Sequence, residues 1–186
     1  MYNFINDDID KVKKVIELYD DTNIHLLTVE QQEIFKVNLR KKYFKDKGIL
    51  SWSIFEMLNS EKLGVNDANA WSWISDYIIG KEICVLLGEN YHSKLIYYFK
   101  NGVNFIDVYP RLPFLEFYLM DLNFTFLIGY NHSSCLVTMG KAIDWLESDV
   151  RYVKFLDNYK KRNTLWATSY DILGRVTEYT DEGVTK

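Results

Sequence analysis

At 186 residues with 48% apolar side chains, the chain has enough material for one hydrophobic core, which excludes disorder of the whole chain and calls for no second domain. A net charge of −4 argues against nucleic-acid binding, because phosphate recognition needs the opposite sign. No apolar run approaches the roughly 18 residues of a membrane span, and MYNFINDDIDKV lacks the basic region and apolar run of a secretory leader, so a cytoplasmic protein is expected.

The charge is unevenly placed. Residues 51 to 149 carry twelve acidic against six basic side chains, whereas residues 1 to 50 are balanced at nine of each. A charged partner of the central part is therefore expected to be basic. The 14 tyrosines, each an apolar body with a polar tip, suit half-buried surfaces and interfaces.

In chain order, Ile9, Val12, Val15, Ile16 and Tyr19 form one stripe and predict a helix over 7–19, with Asn6 or Asp7 as its cap. Thr28, Val29, Glu30 and Gln31 make a Thr-x-x-Gln capping box, which predicts a second helix from 28 to about Asp46, closed by Gly48. Lys36, Arg40, Lys41, Lys42, Lys45 and Lys47 lie in it, and read as its solvated side. A short helix is expected at 51–58, with Trp52 and Phe55 inward, followed by a polar loop through Gly64. Asn66 then caps a helix that carries Ala70, Trp71, Ile74, Tyr77 and Ile78 to Gly80. Trp71 and Trp73 are two apart and cannot share a face, which leaves Trp73 as a candidate surface contact.

Strands are predicted at Glu82 to Leu87 and Lys94 to Lys100, the second turning through Asn101-Gly102, a strong two-residue hairpin signal, into a third at Asn104 to Tyr109. Pro110 and Pro113 interrupt pairing. The stretch from Leu115 to Gly140 then reads as three antiparallel strands joined by turns at Asp121 to Asn123 and Asn131 to Ser134. Within it Phe124, Phe126, Ile128 and Tyr130 alternate with Thr125, Leu127 and Gly129, apolar on both sides as an interior strand is. After Gly140, Ile143, Leu146, Val150 and Val153 form one stripe, widened by Trp145, Tyr152, Leu156 and Tyr159, and predict a covering helix of about twenty residues, broken near Ser148. Leu165 to Val176 is expected to dock, and 177–186 to fray. The class is α+β: N-terminal helices, a mostly antiparallel sheet of about six strands, and a C-terminal covering helix in a single domain.

Catalytic signals are weak. His25, His92 and His132 stand in no metal spacing, and Cys84 and Cys135, inside predicted strands, read as free thiols. There is no nucleophile elbow, phosphate loop or dinucleotide fingerprint, and Glu116, Asp121, Asp144, Glu147 and Asp149 do not pair as glycosidase acids do. No catalytic residue, metal or cofactor is assigned. The alternative to a binding role is a small-molecule site or enzyme pocket near Tyr130 and His132.

The order of elements, with Tyr43, Phe44 and Gly48 near the end of the second helix and Glu116, Phe117, Tyr118, Asp121 and Phe124 to Gly140 in the meander, resembles the SUKH-type immunity proteins of bacterial polymorphic toxin systems. The resemblance implies a small cytoplasmic protein without catalytic residues that blocks a toxin by steric and charge complementarity, here a basic toxin domain such as a nuclease. The expected partner contacts are aromatics and carboxylates near the turns: Trp73, Glu89, Tyr91, Asp107, Tyr109, Asp121 and Tyr130. No nucleic-acid or membrane partner is expected.

Overall fold

The computed structural model describes residues 4–19, 23–43, 61–87, 95–112, 116–131 and 133–163. Helix α1 (Phe4–Glu17) leads through strand β1 (Ile24–Leu26) to helix α2 (Val29–Tyr43). The capping box sets the start of α2. The Gln31 amide donates to Thr28 Oγ1 at 3.2 Å and the Thr28 amide to Gln31 Oε1 at 2.9 Å, so two otherwise open donors are closed reciprocally.

Strand β2 (Lys62–Asn66) is followed by two single-turn helices, α3 (Ala70–Trp73) and α4 (Ser75–Ile78). The hairpin of β3 (Ile83–Leu87) and β4 (Leu95–Phe99) comes next, then α5 (Val103–Val108) with a 3-10 turn at Tyr109–Arg111. The meander is β5 (Phe117–Met120), β6 (Phe126–Tyr130) and β7 (Cys135–Gly140), and α6 (Ala142–Ser148) and α7 (Val150–Asn163) follow it. The strands form one seven-stranded sheet in the order β1-β4-β3-β5-β6-β7-β2, antiparallel throughout. The fold is α+β. No described helix is long and apolar enough to cross a membrane.

Strand alternation divides the core in two. Ile83, Val85, Phe117, Leu119, Phe126, Ile128 and Tyr130 point to one face, where α1, α3 to α5, α6 and α7 cover them through Val12, Ile16, Ile74, Ile78, Phe105, Leu146 and Tyr152. Cys84, Leu86, Tyr118, Met120, Leu127, Val137 and Met139 point to the other, covered by Phe35, Leu39 and Tyr43 of α2. Strand β6, between β5 and β7, is therefore buried on both sides, as its two apolar faces require.

Several expectations are corrected. Asn104 to Tyr109 is helical, because Phe105, Val108, Tyr109 and Leu112 recur at three- and four-residue steps and bury one stripe. Asn101 and Gly102 make no hairpin: Asn101 Oδ1 accepts from the Gly80 and Val103 amides, and a Cβ on Gly102 would collide with Ile78. Asn66 ends an edge strand instead of capping a helix, and the helix expected after it is two pieces divided at Ile74. Strands β1 and β2 were not expected, while Phe124, expected in a strand, holds φ 53° in the β5–β6 turn.

The C-terminal helix does break after Ser148, whose hydroxyl donates to the Asp144 and Trp145 carbonyls. The break resets the helical phase. Val150 and Val153, expected inward, come out exposed, whereas Tyr152 and Leu156 lie inward as expected and are joined by Phe155. The helix expected at 51–58 and the segment after 163 lie outside the described residues.

Candidate functional site

Two basic side chains over aromatic rings mark the places where this fold gathers chemistry. One lies at the end of the sheet that holds the β5–β6 turn. Asp121 organises that turn with both carboxylate oxygens: the Thr125 amide donates to Oδ1 at 2.6 Å and the Thr125 hydroxyl to Oδ2 at 2.7 Å. The Lys141 amide donates to the Thr125 carbonyl at 3.1 Å and fastens the start of α6, which carries Asp144 and Trp145, against the turn. From the opposite face, the Tyr43 hydroxyl donates to the Phe124 carbonyl at 2.6 Å.

The third wall is α4. Gly80, at φ 73°, supplies the left-handed residue that ends it, and the Lys81 amide donates to the Ile78 carbonyl at 3.0 Å. Lys81 is thereby returned over Tyr77, with its ammonium nitrogen 3.3 Å from the ring centroid and 5.8 Å from that of Phe126. Tyr77 meets Phe126 edge-on at 5.0 Å and Trp145 at 5.1 Å, so the ring under the cation is fixed from two sides.

The electrostatics agree with this geometry. Burial pushes the Tyr77 phenol up to about 12, and the carboxylates of Asp121 and Asp144 add to the shift. Lys81 is lowered by burial against the opposing pull of Asp121. Lys81 forms no ion pair among the described residues, so its ammonium is held by rings and by the field of Asp121.

The second place is a groove of about 440 Å³ where Asn66 and Asp67 at the end of β2 face Phe155 and Tyr159 of α7, with Trp73 and Arg151 between them. Arg151 is locked. Its Nε donates to Asp149 Oδ1 at 2.9 Å and its Nη2 to Asp149 Oδ2 at 2.5 Å and Asp76 Oδ2 at 2.6 Å, while its guanidinium lies 5.4 Å from the Trp73 ring centroid. The Asp149 carboxyl is held below the usual carboxylate range, chiefly by the Arg151 side chain. The Asp149 side chain is only 6% exposed.

The expected contact residues are thus dispersed. Trp73 is buried and reaches the groove as a wall, while its neighbour Trp71 is half-buried against Tyr109. Tyr109 and Tyr130 are core residues, not exposed anchors. The Tyr109 ring packs edge-on against Phe117, and the Tyr130 hydroxyl donates to the Ala68 carbonyl at 3.0 Å, tying down the loop after β2. Asp121 is half-buried and engaged in its own turn, Asp107 is exposed, and Glu89, Tyr91 and His132 lie outside the described residues.

Tyr77, Lys81, Trp145 and Arg151 were not singled out as site residues. The four-residue step from Tyr77 to Lys81 across a helix-ending glycine was the available signal for the first pair. Burial pushes the Cys84 thiol up to about 12 and that of Cys135 up to about 11, which leaves both protonated at neutral pH and poor nucleophiles. Comparison with known proteins finds no family model, no curated protein and no solved structure that matches the chain.

Proposed function

We propose that the chain is a protein-binding module for a basic partner, acting as an immunity protein that neutralises a cognate toxin domain by covering it. The observation that carries this reading is the Asp121 end of the sheet, where half-buried Tyr77 and Trp145 sit beside Asp121 and Asp144. Rigid aromatics with a charged rim are the usual material of an interface hot spot, and acids around them select a basic surface and speed its approach. The acidic excess of residues 51 to 149 and the resemblance in element order support the same direction.

The test is co-expression and pull-down with the product of the neighbouring gene, scoring protection of the host cell. The expected result is capture that weakens with salt and is lost in Asp144→Lys, a change at an exposed position. Absence of both capture and protection would overturn the reading. Salt-sensitive retention on heparin would point instead to a nucleic-acid ligand.

A further inference from the structure

The Lys81 contact is itself unexplained by folding needs. An ammonium that loses hydration while gaining only the field of Asp121 and no direct ion pair is incompletely compensated, and a water-exposed rotamer is open to so long a side chain. Its backbone, by contrast, is fixed at both ends, since Lys81 donates to the Ile78 carbonyl and accepts from the Gly102 amide at 2.8 Å. Only the side chain is free to leave.

We propose that the Tyr77 face, backed by Phe126 and Trp145, is a seat for one basic side chain of the protein partner, and that Lys81 occupies this seat until the partner displaces it. The inference rests on the protein-binding reading above and names the contact it uses. An ammonium 3.3 Å above the ring shows that the face accepts a cation. The edge of Phe126 and the Trp145 ring fix its orientation, so nothing beyond Lys81 needs to rearrange. Asp144 is exposed, forms no ion pair among the described residues, and acts electrostatically on Tyr77.

Arginine is the preferred occupant. Its guanidinium stacks on an aromatic face while donating in its own plane to a carboxylate, and it gives up hydration more readily than an ammonium does. A partner arginine gains both the ring and an ion pair with Asp144, whereas Lys81 has the ring and only the field of Asp121. Lys81 therefore acts as a built-in competitor, lowering affinity for isolated cations and leaving access to partners that add other contacts.

The experiment follows the Lys81 side chain by NMR in the full chain. Its ε-methylene protons, over the Tyr77 ring, are expected upfield of the free-lysine position. A capped Gly-Gly-Arg-Gly-Gly peptide should move them back towards it, and the same peptide with citrulline should not. Lys81→Met should bind the arginine peptide about tenfold more tightly than the wild type. Asp144→Asn, at an exposed position, should weaken it about threefold.

Equal binding of arginine and citrulline, unchanged affinity in Lys81→Met, or unshifted ε-protons in the free protein would each sink the inference. The two proposals fail separately. A partner captured in pull-down while the peptide fails on every form removes the seat alone; a peptide that binds as expected with no partner captured removes the immunity reading alone.

Discussion

Arg151 and Lys81 are both cations set over aromatic rings on the same side of the sheet, yet the protein treats them oppositely. Arg151 is clamped by two carboxylates and raised above its usual value by them, while Lys81 has no such clamp and is lowered by burial. The first arrangement ties α4 to α7, because Asp76 belongs to one helix and Arg151 to the other. The second ties nothing that its backbone does not already hold. Two similar ring contacts therefore differ in kind: one is a fastening, the other a contact that can be exchanged.

The largest effect is expected where the frame of the Lys81 end is broken. A Cβ on Gly140, which holds φ 60°, would run into the Thr125 carbonyl, so Gly140→Ala combines backbone strain with a clash against main chain. It should cost about 3 kcal/mol in urea unfolding and loosen Trp145 from Tyr77 while sparing Arg151. Next is Arg151→Met, which keeps the stem over Trp73 but leaves Asp149 without its fork. With a third of the Arg151 side chain exposed, about 2 kcal/mol is expected, less than for a fully buried pair.

That loss should depend on pH. Asp149 is depressed in the folded state, so its contribution is complete above the unfolded value of 3.8 and disappears as pH falls through the lower folded value. The gap between the wild type and Arg151→Met should stay level from about pH 5 to 8 and close below about 4. A gap that is constant down to about pH 2 would mean that the fastening is packing and not charge.

How much of this was legible depended on whether the signal was local. The box at Thr28 and Gln31 is four residues long and folds as it reads. The meander was legible because β5, β6 and β7 are neighbours in both sequence and sheet. Strand β2 was not, since Lys62-Leu-Gly-Val-Asn is short, contains a glycine and has only β7 beside it, far along the chain. Asn101-Gly102 misled for a related reason: its asparagine side chain accepts from the Gly80 amide and its glycine makes room for Ile78, both long-range uses of residues that locally signal a turn. The acid at Asp121 could be picked out from its turn, but the meeting of Tyr77, Phe126 and Trp145 comes from three separate elements and has no sequence period.

A smaller effect is expected for Tyr77→Ala. It removes a half-buried ring from between Phe126 and Trp145, and should cost about 1.5 kcal/mol together with the upfield position of the Lys81 protons. If stability falls but those protons stay shifted, another ring is the true seat.

The smallest effect is the most telling. In Lys81→Met the attraction to the ring and the cost of drying the ammonium are removed together, and because they oppose each other the net change at pH 7 should be within about 0.5 kcal/mol. The balance should tilt at alkaline pH. Lys81 is lowered on folding, so the folded state releases its proton before the unfolded state does, and the charge's burial cost is relieved between the folded value and about 10.4. Over that window the wild type should gain stability relative to Lys81→Met. A methionine variant that is instead weakened as much as Arg151→Met at neutral pH would make Lys81 a second fastening, and an exchangeable contact could not be built from it.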